Sequence, residues 1–265
     1  IPLRLVGSEM CIRDSLLVIP IVSPRNSEQK KSPSKKILVR SVKDYEIKSD
    51  SVTSIVDEMA DSGGFESTNL SVGTQILHKM GKDPSCTRFL SFVGAIISTG
   101  VRGIIRDMLK NKMFDCVITT CGALDHDIAR ASAKYYSGDL RMDDRILHKQ
   151  NVHRLGNILV PQDSYGPQIE EAVQSCLKTI YRDNNIRNIS THELIKHIGS
   201  TLDESSFLYW AFKNDIPVIV PGIVDGAVGS QIWLFHQQHK DFIIDILSDE
   251  TLLSDIVYEA KRTGA

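Results

Sequence analysis

The stretch that decides the fold is residues 87–120, which read TRFLSFVGAIISTGVRGIIRDMLKNKMFDCVITT. Its two ends, Thr87–Val93 and Phe114–Thr120, are short apolar runs without polar alternation, which is typical of strands buried on both faces. Between them apolar residues recur at i, i+3 and i+4 spacing, so we predict a helix over Ser98–Asn111. Two such strands joined by a helix predict a parallel sheet with a crossover connection.

The same alternation of short apolar runs and longer helical patterns continues on both sides of this stretch. Two more runs predict strands at Asn157–Val160 and Pro217–Val220. Helical spacing predicts helices at Ser51–Ala60, Thr68–Met80, Leu124–Tyr136, Tyr165–Tyr181, Ser190–Ile198, Ser205–Lys213, Ala227–His239 and Thr251–Arg262. The predicted fold is therefore α/β, with a doubly wound, Rossmann-like parallel sheet flanked by helices.

Composition excludes several classes of protein. The 265 residues are 42% hydrophobic and carry a formal net charge of −2, which argues against a disordered chain and against a dedicated nucleic-acid binder. Five cysteines without CxxC spacing predict reduced thiols, a cytoplasmic location and no zinc or other metal site. The apolar run Leu16–Val22 contains a proline and is much shorter than the about 20 residues of a membrane span.

The amino-terminal part of the sequence differs from the rest in composition. Residues 1–15 include VGSEMCIRDS, which resembles a translated sequencing-adapter scar, although an ordinary extension is the alternative. Residues 16–43 contain SPRNSEQKKSPSKK, a composition that favours an extension with a flexible linker. Residues 44–265 are the predicted globular domain.

The segments that follow the predicted strands combine glycine with hydroxyl or acidic side chains. They are Gly94–Gly100, Thr119–Asp127 and Pro221–Ser230. Ligands of parallel α/β sheets bind at the carboxyl ends of the strands, where glycine admits a close backbone approach and helix N-termini favour phosphate. The pattern predicts a nucleotide-type ligand, although strand-to-helix loops need glycines and caps in any case. The GxGxxG dinucleotide fingerprint is absent.

Several blocks, taken in order and with their spacing, resemble the deoxyhypusine synthase family from about Asp44 to Ala265. The blocks are Gly64–Asn69 (GFESTN), Ile97–Arg102 (ISTGVR), Val117–Gly122 (VITTCG), Asp125–Asp127 (DHD), Arg154–Pro161 (RLGNILVP) and Asp225–Gly229 (DGAVG). The resemblance implies an NAD-dependent transferase that oxidises spermidine. Its aminobutyl group would pass to an enzyme lysine and then to a lysine of translation initiation factor 5A. The resemblance also implies a homotetramer built from dimers.

The resemblance further implies a set of site residues. The cofactor NAD would lie near Gly94, Ala95, Ser98, Thr120, Cys121, Gly122, His126 and Asp225. The polyamine would lie near Asp125, His126 and Ser230. The start of the helix at Ser98 would suit the pyrophosphate, and Asp125 would supply an anionic partner for an amine. Cys121 lies at a helix start, which favours a thiolate, although close packing against the cofactor is the alternative.

The sequence departs from the family pattern at three of these positions. Ala95 stands where asparagine is frequent, His126 where a second acid is frequent, and Ser230 where aspartate is frequent. His126 could act in proton transfer or could be a helix-surface residue. These changes predict a divergent, archaeal-type branch.

The family's nucleophilic lysine would lie beyond the position matching Ala265, so no catalytic residue is assigned and this chain alone is expected to be inactive. The alternatives are a homospermidine synthase-like amine transferase and a non-catalytic NAD-binding subunit.

Overall fold

A computed structural model describes residues 42–44, 51–64 and 66–264 of the chain. The chain divides between Pro84 and Ser85 into two compact units, and this division lies within the predicted domain 44–265. The predicted scar at residues 1–15 and nearly all of the predicted linker at 16–43 lie outside the described residues.

The described residues of the first unit form two helices, α1 (Val52–Met59) and α2 (Ser67–Lys82), which agree with the helical spacing of the sequence. The ammonium of Lys43 lies 2.6 Å from the carboxylate of Asp61, and the Lys43 N–H donates to the Asp61 carbonyl at 3.0 Å. These two contacts place residues 42–44 beside the chain segment that leaves α1.

The second unit is an α/β structure. Its strands are β1 (Cys86–Phe92), β2 (Cys116–Thr119), β3 (Tyr136–Ser137), β4 (Val152–Leu155), β5 (Ile158–Pro161), β6 (Asn188–Ser190), β7 (Val218–Ile219), β8 (Ile243–Asp245) and β9 (Arg262–Gly264). Its helices are α3 (Val101–Lys110), α4 (Cys121–Ser132), α5 (Asp144–Lys149), α6 (Gly166–Arg182), α7 (Thr191–Ser200), α8 (Phe207–Asn214), α9 (Ala227–Gln238) and α10 (Ile246–Glu259).

Four strands form a parallel sheet in the order β7-β2-β1-β9, which confirms the α/β prediction. Phe89 pairs with Cys116 and Phe92 with Thr119, while Val117 also pairs with Val218. Strand β2 lies between two neighbours and is largely buried, as its apolar run without alternation predicts. Because the strands are parallel, the chain leaves β1, β2 and β7 at the same edge of the sheet.

One predicted strand belongs to a different sheet. The run Asn157–Val160 forms most of β5, which lies in an antiparallel sheet of order β3-β5-β4. Leu155 pairs with Ile158, so Gly156 and Asn157 form a two-residue hairpin turn, with Gly156 at φ +63°. A Gly-Asn pair between two short apolar runs is typical of a β-hairpin. The prediction that this run belongs to the parallel sheet is therefore wrong.

Three predicted helices have shifted ends. Residues Gly94–Ser98 form a separate 3₁₀ turn, and α3 begins only at Val101. Helix α4 begins at Cys121, directly after β2. Helix α10 begins at Ile246, because the Asp245 carboxylate accepts hydrogen bonds from the amides of the first turn, and the chain beyond it turns into β9.

A buried ion pair joins three helices of the core. Asp127 is fully buried and accepts a 2.6 Å hydrogen bond from Nε of Arg102 on α3. The same carboxylate accepts from the Ser206 hydroxyl at 2.6 Å and from the Leu208 amide at 3.0 Å, so it caps the start of α8. A buried carboxylate needs such a full set of donors, and here they fix α3, α4 and α8 relative to one another.

Gly199 allows α7 and α8 to pack closely, which gives a test of this packing. A Cβ added at Gly199 would lie 2.5 Å from the Leu208 carbonyl oxygen, so Gly199→Ala should lower the free energy of unfolding by about 1–3 kcal/mol. Gly103→Ala on α3 is the control, because its Cβ meets open space and should stabilise the helix by roughly 0.5–1 kcal/mol. Equal urea midpoints for the two variants would contradict this account.

Candidate active site

Two loops of the predicted site contact each other directly. The Gly94 amide, at the end of β1, donates to Oγ1 of Thr120 at 2.9 Å. A Cβ at Gly94 would lie 2.4 Å from the backbone nitrogen of Ala123, so only glycine lets the 3₁₀ turn rest on the first turn of α4. The Thr120 side chain accepts from Gly94 and makes no side-chain cap on α4.

The carboxylate of Asp125 binds the loop Pro221–Ser230, which is the third loop of the predicted site. It accepts hydrogen bonds from the amides of Ala227 at 2.9 Å and Val228 at 2.8 Å, which are the first two residues of α9. The phenol of Tyr165 donates to the same carboxylate at 3.0 Å. Asp125 is only 2% exposed, and it therefore caps α9 from another helix, in place of Gly226, which has no side chain.

The backbone of the third loop passes close over α4. A Cβ at Gly226 would lie 2.7 Å from an oxygen of Asp125 and 2.7 Å from Sγ of Cys121. A side chain at this position would therefore push the loop away from both residues. Helix α4, the loop before α9 and the chain at Tyr165, which are far apart in the sequence, thus meet at Cys121 and Asp125.

The thiol of Cys121 is fully buried under this loop. Burial raises its pKa to about 12, and the negative charge of Asp125 acts in the same direction. The expectation that a helix start would favour a thiolate here is wrong, because burial and the acidic neighbour outweigh the helix dipole. The predicted packing of Cys121 against a cofactor stays a prediction.

His126 lies half-buried between two tyrosines. Its Nδ1 is 3.0 Å from the hydroxyl of Tyr135, and its ring centroid is 5.6 Å from that of Tyr165. Burial lowers the pKa of His126, so its imidazole is neutral at pH 7. Burial raises the pKa of both tyrosines, which keeps the two phenols protonated.

The remaining predicted site residues differ in accessibility. Ala95, Thr120, Asp225 and Ser230 are exposed at the carboxyl edge, and Gly122 is partly exposed with open space where a side chain would be. The Ser98 hydroxyl is instead buried and donates to the Ala95 carbonyl at 2.7 Å. The Ser230 hydroxyl donates to the Gly226 carbonyl at 3.0 Å.

Three residues of this site were missed by the sequence analysis: Arg130, Tyr135 and Tyr165. Nη1 of Arg130 donates to the carbonyls of Ile97 and Thr99, each at 2.6 Å. Tyr165 lies just before α6, and neither periodicity nor spacing indicates that its hydroxyl reaches Asp125. Only the approach of these segments in the folded chain identifies them.

Within residues 42–44, 51–64 and 66–264, no three His, Cys, Asp or Glu side chains are grouped as a metal site would require. Among the helices of these same residues, none is both long and apolar enough to cross a membrane.

Fold and site together define an α/β protein in which the loops after β1, β2 and β7 lie at the carboxyl edge of a parallel sheet, where ligands of such sheets bind. A family model described as deoxyhypusine synthase matches residues 54–265. The chain belongs to the deoxyhypusine synthase family, a family of transferases named for hypusine biosynthesis. The resemblance predicted from the sequence blocks is thereby confirmed.

Similar proteins agree with this assignment. A relative from Thermoplasma volcanium named as a probable deoxyhypusine synthase is 46% identical over 233 residues, which cover 87% of this chain and 74% of that protein. One from Picrophilus torridus with the same name is 45% identical, over 86% of this chain and 73% of that protein. A crystal structure assigned as a deoxyhypusine synthase from Entamoeba histolytica shares the fold, with a TM-score of 0.59 and 20% identity over 79% of this chain and 72% of its own.

The hydrogen bonds of Asp125 can be tested through stability. Asp125→Ala leaves two backbone amides and a phenol without their acceptor, so the free energy of unfolding should fall by about 3 kcal/mol. Asp125→Asn keeps one acceptor oxygen and should lose roughly half as much. Glu170→Ala, an exposed carboxylate on α6, is the control and should leave the urea midpoint nearly unchanged. An Asp125→Ala variant as stable as this control would contradict the capping role.

Proposed function

We propose that this chain forms most of an NAD-dependent transferase that moves the aminobutyl group of spermidine to a lysine of translation initiation factor 5A. Family membership over residues 54–265 carries this proposal. The names of the two relatives from Thermoplasma volcanium and Picrophilus torridus favour it over a homospermidine synthase-like transferase and over a non-catalytic subunit.

The loops at the carboxyl edge fit a dinucleotide. The first amides of a helix have no intrahelical partner, and Thr120 makes no side-chain cap on α4. Gly122 leaves room for a ligand to approach the backbone there, since an added Cβ would meet only the Gly94 Cα, at 4.0 Å. We propose that NAD is held by Gly94, Ala95, Ser98, Thr120, Cys121, Gly122, His126 and Asp225. When bound, NAD would supply the hydride acceptor.

The charges around α4 suit a cationic amine. Asp125 supplies a fixed negative charge, held in place by two amides of α9, the Tyr165 phenol and the Cys121 thiol. The neutral imidazole of His126 does not repel an ammonium group, whereas a protonated one would. We propose that Asp125, His126 and the exposed Ser230 lie against the polyamine, with His126 in the position where the family often has an acid.

The proposal includes the wider context of the enzyme. The protein would be cytoplasmic and would assemble as a homotetramer of dimers. The parallel sheet would continue beyond β9 in the complete gene product, with helices covering both of its faces. We also propose that the nucleophilic lysine would lie beyond the position matching Ala265, so that the 265-residue chain alone would be inactive in transfer.

The transfer reaction tests the proposed function. The complete gene product is incubated with NAD, spermidine labelled in its aminobutyl part, and purified factor 5A, and label is then measured on the factor. We expect NAD-dependent labelling of one lysine, and none when that lysine of the acceptor is replaced by arginine or when the 265-residue chain is used instead. When putrescine is added as a competing acceptor, labelled homospermidine instead of labelled factor would favour the homospermidine synthase-like alternative.

The NAD site can be tested separately by calorimetry. Asp225 is exposed at the carboxyl edge, where its carboxylate can accept hydrogen bonds from a ribose. Asp225→Ala in the full-length protein should therefore weaken NAD binding about ten- to hundredfold. Asp183→Ala, which removes an exposed carboxylate after the end of α6, is the matched control and should bind NAD normally. Unchanged NAD affinity in Asp225→Ala would reject this assignment.

A further inference from the structure

Hydrogen bonds hold the 3₁₀ turn Gly94–Ser98 at both ends, one from the residue before α4 and the others from the last part of α4. At its start, the Gly94 amide donates to the Thr120 side chain. At its end, Nη1 of Arg130 donates to the carbonyls of Ile97 and Thr99, each at 2.6 Å. Between these hydrogen-bonded ends, Ala95 is the exposed residue of the turn.

The guanidinium of Arg130 is held where a positive charge is unfavourable. Burial lowers the pKa of Arg130, and the positive charge of nearby Arg102 lowers it further. Arg102 is itself neutralised by Asp127, whereas the hydrogen bonds described for the Arg130 guanidinium go to carbonyls, which carry no formal charge. Tyr135 and Asp127 act in the opposite direction on the pKa of Arg130, but the net effect is a lowering. The guanidinium nevertheless keeps its positive charge behind the turn that precedes α3.

The contacts of Arg130 are local to the predicted cofactor loop. Its bonds reach residues 97 and 99, and its guanidinium lies 5.8 Å from the ring centroid of Tyr135, the partner of His126. The core ion pair of Arg102 and Asp127 separately fixes α3 against α4 and α8. Loss of Arg130 would thus loosen the loop while the core contacts stay in place.

We propose that Arg130 is a positioning residue for the dinucleotide site, fixing the backbone of residues 97–99 so that Ala95, Ser98 and the start of α3 keep one orientation. The guanidinium also adds a positive charge behind the loop, which attracts an anionic ligand without touching it. This inference rests on the proposed NAD function. A lysine could supply the charge but has only a point-like ammonium, whereas the planar guanidinium holds both carbonyls in a fixed geometry.

The test uses the full-length protein with Arg130→Met, Arg130→Lys and, as a matched control, Arg182→Met, which removes an exposed arginine at the end of α6. Two measurements are made: amide hydrogen exchange of residues 95–101 without ligand, and NAD affinity at ionic strengths of about 0.05 M and about 0.5 M.

We expect Arg130→Met to speed exchange in this segment and to weaken NAD binding about tenfold at low salt, with a smaller salt dependence than wild type. Arg130→Lys should exchange faster than wild type, because it loses the planar hydrogen bonds, but should keep the salt dependence of NAD binding, because it keeps the charge. If the arginine had only a structural role, the salt dependence would not distinguish the lysine variant from the methionine variant. Arg182→Met should match wild type in both measurements.

Three outcomes overturn the inference, and they differ from one another. Unchanged exchange in Arg130→Met would mean that the arginine does not hold the loop. Faster exchange with unchanged NAD affinity would mean that it holds the loop but does not position the site. Wild-type protein that binds no NAD would reject the proposed function and the positioning role with it. If Arg130→Met fails to fold, Arg130→Lys carries the same comparison.

Discussion

The carboxylate of Asp125 joins three segments of the site: its own helix α4, the start of α9 and the chain at Tyr165. Burying a charge is costly unless donors surround it, and here two amides of α9 and the phenol of Tyr165 supply them. Because those amides begin a helix, its dipole also favours the negative charge. The geometry around Asp125 dictates the neighbouring residues: Gly226 must lack a side chain, and Cys121 becomes a buried, protonated thiol.

The motif Asp125-His126-Asp127 shows how three adjacent residues of one helix acquire separate tasks. Successive side chains of a helix point about 100° apart, so they meet different neighbours. Asp125 faces the start of α9, Asp127 faces Arg102 and the start of α8, and His126 faces Tyr135. Helix α4 therefore fixes two other helices through their first turns and leaves its imidazole at the partly exposed side of the site.

Much of the fold follows from local pattern, and the part that does not depends on pairing between distant residues. The buried runs before Gly94 and Thr120 predict the two central strands, because burial on both faces leaves an apolar sequence. Strand β9 has no such pattern: its sequence RTG forms a strand because it pairs with β1. The loops of the site were predicted in the same local way. The acceptor role of Asp125 was not, since Tyr165 and Ala227 are remote from it in sequence.

The proposed reaction needs two electrostatic contributions, one that favours a cationic amine and one that favours an anionic cofactor. The charged groups that influence His126 are Asp125 and Arg130, one of each sign, and the imidazole between them is neutral. The opposite charges of Asp125 and Arg130 largely offset each other at a distance. Close to α4, however, the individual charges are felt separately. Under the proposed function, Asp125 would favour an ammonium group over an uncharged one, while Arg130 would lie behind the loop proposed for the anionic cofactor.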